Sequence, residues 1–276
     1  MSVRTSNLPI GVFDSGVGGL TVLRALRELL PDENFLYLGD TARVPYGTKS
    51  SESVTKYALQ AGGALVREGI KMLVIACNTA SAVSIDALAA QYSPLPVVGV
   101  VRPGAEAACA TTINGKIAVI ATESTVKGRA YQRTICSMHP DAEIIAHPCP
   151  LFVGLAEEGW VDGELVEAIV ARYLEPLFAA FGDVGPDTLV LGCTHFPVLR
   201  NPIANVAGST IKLVDSAETT ARTVENVLNV AKICNAGSEK GQISFLATDS
   251  AQRFATVGGS FLGVEIDTED VRVIDL

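Results

Sequence analysis

Nine short apolar runs recur along the 276 residues, most of them closed by a turn of Gly, Ser, Asp, Asn or Thr and followed by a helix-like stretch. This alternation restricts the fold more than any other feature. The runs are 10–13, 35–38, 72–76, 97–101, 117–121, 143–146, 188–191, 212–214 and 243–246. After the first, Leu20, Val22, Leu23, Leu26 and Leu30 repeat at helical spacing until Pro31 stops the pattern. A βαβα chain builds a parallel, doubly wound sheet with helices on both faces, and ligands bind outside the carboxyl ends of its strands. Nine strands are many for one open sheet of this length, so the pattern predicts two α/β lobes facing each other. The segment 101–104 is expected as the first crossing and 207–209 as the return. That gives a discontinuous first lobe of 1–101 with 210–276, and a second lobe of 102–209.

A weak internal repetition supports two lobes. Leu73-Val74-Ile75-Ala76-Cys77-Asn78-Thr79-Ala80 resembles Leu189-Val190-Leu191-Gly192-Cys193-Thr194-His195-Phe196: an apolar strand, a small residue, a cysteine, then polar turn residues before a helix. If a pseudo-twofold axis relates the lobes, the two strand ends face one cleft, and two thiols look at each other across a ligand.

Composition removes most competing classes. At 48% hydrophobic residues the chain can bury a proper core, and a net charge of −9 without a basic run argues against nucleic acid as a main partner. The apolar runs fall well short of the roughly 20 residues that cross a bilayer, so no membrane partner is expected. Residues 1–9 are polar and lack the apolar run of a secretory signal, which points to a reducing cytoplasm. The six cysteines, without CxxC pairing, then read as thiols.

A cysteine just past a buried strand and at a helix start meets free backbone N–H groups and the positive end of the helix dipole, both of which favour thiolate. A lone cysteine in such a turn is more often a packed residue; Cys77 and Cys193 in matched contexts reverse that preference. Phe13-Asp14-Ser15-Gly16-Val17-Gly18-Gly19-Leu20 is a glycine-rich strand-to-helix turn suited to an anion, with neither the spacing of a dinucleotide fingerprint nor the Lys-Ser/Thr of a P-loop. An ordinary βα turn in which Asp14 or Ser15 caps the helix fits it equally well. The Val44-Pro45-Tyr46-Gly47 turn lies at the same sheet edge. His195, two residues past Cys193, can shuttle a proton. A zinc site on Cys77, Cys193 and His195 lacks tight ligand spacing, so no metal is expected. His139 and His147 stand apart from any motif, and Cys109, Cys136, Cys149 and Cys234 read as packing residues.

Taken together, the motif at 13–20, Pro-Tyr-Gly at 45–47, Ala-Cys-Asn-Thr-Ala at 76–80 and Gly-Cys-Thr-His-Phe-Pro at 192–197 resemble, in order and spacing, the glutamate racemase family of the aspartate/glutamate racemase superfamily. The resemblance implies two flavodoxin-like lobes with the active site between them. It implies interconversion of L- and D-glutamate, supplying D-glutamate for bacterial peptidoglycan, with no cofactor, neither pyridoxal phosphate nor metal. By the same resemblance Cys77 takes the α-proton from D-glutamate and Cys193 from L-glutamate. Asp14 assists the first thiol and His195 the second, with Glu157 as a further assisting carboxylate and the adjoining Glu158 as its alternative. The implied substrate contacts are Asp14, Ser15, Tyr46, Gly47, Asn78, Thr79, Thr194 and His195. None is Lys or Arg, so hydroxyls, amides and backbone N–H groups would hold the dicarboxylate.

Two cysteines suit this chemistry for a geometric reason. Proton removal leaves a nearly planar carbanion, and inversion requires reprotonation from the opposite face. An aspartate or hydantoin racemase would share that scheme. A two-lobed solute-binding protein would share the cleft but has no use for paired thiols, and a dithiol redox protein would pair them as a disulfide. Oligomeric state is not fixed by the sequence, a homodimer being the assembly entertained.

Overall fold

The structure is a computed structural model that describes residues 6–235, 237 and 240–276. The first five residues of the polar stretch 1–9 therefore lie outside the described residues. In chain order the elements are β1 (Ile10–Asp14), α1 (Leu20–Leu29), β2 (Phe35–Gly39), α2 (Ser51–Glu68), β3 (Met72–Ile75), α3 (Asn78–Tyr92) and β4 (Val97–Gly99). Next come α4 (Val101–Thr111), β5 (Lys116–Ala121), α5 (Glu123–Gly128), α6 (Ala130–Met138), β6 (Glu143–Pro148), α7 (Leu151–Glu157), α8 (Glu164–Ala179), β7 (Thr188–Gly192), α9 (Arg200–Ala207) and β8 (Lys212–Asp215). The chain ends with α10 (Ser216–Ala231), β9 (Ile243–Ala247), α11 (Ala251–Leu262) and β10 (Val271–Val273).

The strands form two sheets, ordered β10-β9-β2-β1-β3-β4 and β6-β5-β7-β8. Every pairing in both is parallel. The first sheet contains the order β2-β1-β3-β4 and the second β6-β5-β7-β8, so each lobe repeats the same doubly wound plan. Parallel strands covered on both faces read as continuous apolar runs, as in the fully buried β1, β3 and β7. Successive residues feed opposite faces: Val12 and Val74 join one core cluster while Phe13 and Ile75 join another. In β5, Ala118 and Ile120 likewise separate from Ile117 and Val119.

Three sequence expectations need correction. The run 97–101 stops being strand at Gly99, and the supposed crossing at 101–104 is the first turn of α4. Pro103 is tolerated there because the first N–H groups of a helix have no intrahelical acceptor. Residues 212–215, expected in the first lobe, pair with β7 in the second sheet, Thr188 opposite Lys212 through Leu191 opposite Asp215. A strand that follows a single crossover helix settles beside its predecessor, and β7 offered a free edge. The chain returns along α10, which packs on both α1 and α4. The third correction is β10, which no apolar run announced. No helix among the described residues is long and apolar enough to cross a membrane.

Candidate active site

Each sheet has its topological switch point where the chain winds both ways from one strand, β1 beside β3 in one lobe and β5 beside β7 in the other. The residues leaving these strands converge. Cys77, two past the end of β3, and Cys193, next after β7, both line one cavity of about 220 Å³, as does Thr122, next after β5. From the first lobe the wall also includes Ser15, Tyr46, Gly47, Asn78 and Thr79, and from the second Glu157, Thr194 and His195. Of the sequence-predicted residues, Asp14 and the alternative Glu158 are not on the wall; Asp14 lies behind it. It is fully buried, and its Oδ2 accepts the Gly16 N–H at 2.8 Å.

Cys77 occupies the N-cap position of α3, where its sulfur accepts the Ala80 N–H at 3.5 Å and its thiol donates to Ser15 Oγ at 3.4 Å. The helix start favours thiolate, as the sequence suggests, but it is outweighed. Burial, reinforced by the Asp14 charge, pushes the Cys77 thiol up to about 12. Burial also raises the Asp14 carboxyl, against the pull of His195 and of the Gly16, Gly19 and Ser15 N–H groups. Cys77 is thus a neutral thiol at physiological pH, in the state of an acid.

The second thiol has different company. His195 Nδ1 stands 3.8 Å from Cys193 Sγ, and Nε2–H donates to Glu157 Oε1 at 3.1 Å. Burial lowers the His195 pKa, but Cys193 and Glu157, with Asp14 further off, more than reverse this and lift it to about 10. The His195 hydrogen bond in turn holds the Glu157 carboxyl below the usual carboxylate range against burial. Arg253, on α11 of the other lobe, adds a charge 3.6 Å from Glu157 Oε2. Glu158 is not part of the cavity wall; its exposed carboxylate lies 3.9 Å from Arg253. The arrangement is a sulfur, an imidazole and a carboxylate in line, able to pass a proton to and from the cavity.

Polar groups complete the wall. Thr79 and Thr122, from opposite lobes, share a hydrogen bond of 2.8 Å, and Thr125 joins both hydroxyls. Asn78 Nδ2 donates to Tyr131 Oη at 2.7 Å, while the buried Asn78 Oδ1 has no donor among the described residues. The Tyr46 hydroxyl does not point at a ligand. It donates to the buried Asp40, which also accepts Arg43 Nε at 2.7 Å and Thr248 Oγ1 at 2.9 Å. What Tyr46 and Gly47 offer the cavity is ring surface and backbone.

Sequence reasoning missed Thr122, Thr125, Tyr131, Asp40 and Arg253. Thr122 had a signal, since it follows the run 117–121 as Asp14 follows the first run; Tyr131 and Arg253 arrive from distant helices and had none. Cys149 is buried as expected, but Cys136 and Cys234 are exposed, so they are not packing residues. Among the described residues no group of three or more His, Cys, Asp or Glu is gathered as a metal site.

A family model described as Asp/Glu/Hydantoin racemase matches residues 10–224. The glutamate racemase of Geobacter metallireducens is 49% identical over 254 residues, covering 92% of this chain and 92% of its own. That of Neisseria meningitidis serogroup A is 46% identical over 268 residues, covering 97% of each chain. A crystal structure of the Francisella tularensis glutamate racemase in complex with D-glutamate matches with a TM-score of 0.89, at 35% identity and 98% coverage of both chains.

Proposed function

The chain belongs to the Asp/Glu/Hydantoin racemase family and is an amino-acid racemase of the glutamate racemase kind, and from that premise we propose that it inverts glutamate by proton transfer between Cys77 and Cys193, without a cofactor. The observation that carries the proposal is that the two thiols leave equivalent strands of matching lobes, line one cavity, and have separate partners. From L-glutamate, the Cys193 sulfur takes the α-proton on one face, with His195 and Glu157 behind it to carry the charge. The planar carbanion then takes the thiol proton of Cys77 on the other face, giving D-glutamate. The reverse reaction runs the same transfers backwards, with Asp14 beside Cys77. The two sulfurs exchange protonation states in each turnover.

The polar wall fits an amino-acid dicarboxylate. Asn78 Oδ1 is an acceptor for the ammonium, and the hydroxyls of Ser15, Thr79 and Thr194, with the backbone N–H groups along the same wall, are donors for carboxylates. D-glutamate made this way would supply bacterial peptidoglycan from the cytoplasm. The deciding experiment is incubation with L-glutamate in deuterated water, following D-glutamate by chiral chromatography and mass spectrometry. Product carrying one deuterium at the α-carbon supports the two-base route. Absence of D-glutamate, or product that keeps the original α-proton in full, would sink it.

A further inference from the structure

The glycine-rich turn after β1 was open to two readings, an anion-binding loop or an ordinary turn, and the structure gives it a third use. Gly18 keeps its backbone outside the left-handed region, so chain conformation does not demand glycine there. The neighbour does. A Cβ on Gly18 would lie 2.4 Å from His195 Nδ1, 2.5 Å from His195 Cε1 and 2.5 Å from Thr194 Oγ1. Gly19, by contrast, makes room within its own lobe for Asp14 and Ala76. One helical turn on, the buried Thr21 hydroxyl is shared between Gly18 O at 2.9 Å and Thr194 O at 3.0 Å, tying the same loop of the second lobe to the same turn of the first. Phe261 on α11 meets the imidazole edge-on at 5.2 Å between centroids.

We propose that this turn is a cross-lobe seat that sets the His195 imidazole against Cys193, which makes Gly18 and Thr21 positioning residues for the Cys193 half of the reaction; the inference rests on the proposed role of Cys193 as a base. The ring nitrogen that a Cβ at position 18 would strike is the one 3.8 Å from the Cys193 sulfur. Any side chain there must either turn the imidazole off the sulfur or part the lobes. Glu157 holds the opposite nitrogen, so the ring cannot retreat without losing that bond. Among the described residues Cys77 is bonded instead to Ser15 and Ala80, both of its own lobe. The seat therefore acts on one face of the substrate only.

The test compares wild type with Gly18→Ala, Thr21→Val and Thr21→Ser, each first checked for an unchanged melting temperature. Steady-state rates are measured from both enantiomers, with and without α-deuterium. In parallel, iodoacetamide alkylation of Cys77 and Cys193 is followed across pH by peptide mapping. Gly18→Ala should lower kcat roughly 100-fold, as expected for a catalytic group misplaced by about an ångström, with KM changed less than about threefold. The deuterium effect should grow from L-glutamate more than from D-glutamate, and the pH dependence of Cys193 alkylation should move while that of Cys77 stays. Thr21→Val should act in the same sense, and Thr21→Ser, which keeps the hydroxyl, should stay within about twofold of wild type. Wild-type rates in Gly18→Ala, equal isotope effects from both enantiomers, or an unmoved Cys193 alkylation profile would overturn the seat. If the wild type fails to racemise glutamate, the proposed reaction falls and the alkylation profiles alone decide, a shift confined to Cys193 supporting the seat and no shift overturning it.

Discussion

Cys77 and Cys193 sit at equivalent strand ends but in unlike electrostatic settings, and the difference is set by single neighbours. Burial, reinforced by Asp14, keeps Cys77 protonated, whereas Cys193 faces an imidazole that holds its proton to about 10. Their matched positions were legible in the sequence because a strand, a small residue and a cysteine repeat in order. The contest between helix start and burial at Cys77 was not, since local sequence shows the N–H donors but not the depth of the site. Nor could sequence choose between Glu157 and Glu158, consecutive residues at a helix end whose directions differ by a large rotation; only Glu157 reaches His195. Cys77→Ser and Cys193→Ser should each cut racemisation by at least about 100-fold, measured by circular dichroism of the product, while leaving the melting temperature within a few degrees; full turnover by either would remove that cysteine from the reaction. Tyr46→Phe separates two uses of one residue. Its hydroxyl is bonded to Asp40, away from the cavity, so KM for glutamate should change less than about threefold. The buried Asp40 loses a donor, and stability should fall by about 1–3 kcal/mol in urea titrations. A large KM increase at wild-type stability would mean that the hydroxyl serves the substrate.

Elements were more legible than their assembly. Each of the nine apolar runs contains a strand, 97–101 only as far as Gly99, and the clearest of them are the central strands, because parallel strands covered on both faces need unbroken apolar sequence. The short β10, Val271-Arg272-Val273, escaped because two of its three residues are exposed at the sheet edge. Val101 to Gly104 looked like a linker because Pro and Gly usually break helices, yet Pro is harmless in a first turn, and Gly104 admits Tyr131 and Ser216 closely. The sheet to which β8 belongs could not be read from its residues at all, since an edge strand carries no label for its partner. At this scale α11 deserves a test, because its Arg253 crosses from one lobe to Glu157 in the other at 3.6 Å. The arginine is more than half exposed, and exposed pairs contribute little and are screened by salt. Arg253→Ala should reduce kcat/KM by about threefold at low ionic strength, and the deficit should vanish near 1 M salt, where the Debye length is about 3 Å. A deficit that persists in high salt would point to packing rather than charge.

Over the whole molecule, the site exists only where two lobes meet, and that meeting is what a sequence pattern leaves unstated. The repeat at 73–80 and 189–196 implies two like halves; which surfaces touch depends on close approaches such as Gly47 against Thr122 and Gly18 against His195. Placing a buried imidazole at this junction couples stability to pH. His195 holds its proton to about 10 in the folded chain, against an ordinary value of 6.5, with Cys193, Glu157 and Asp14 as the groups facing it. Between those values the folded state keeps a proton that the unfolded state has released, so the unfolded state binds fewer protons and stability must fall as pH rises. The contribution is fully present below about pH 6.5 and lost as pH passes about 10. Urea unfolding of wild type and His195→Gln at pH of about 6, 8 and 10 isolates it. The wild-type advantage should shrink steadily across the series, because glutamine has no proton to lose, whereas a constant difference would show that the imidazole carries no charge where the lobes meet.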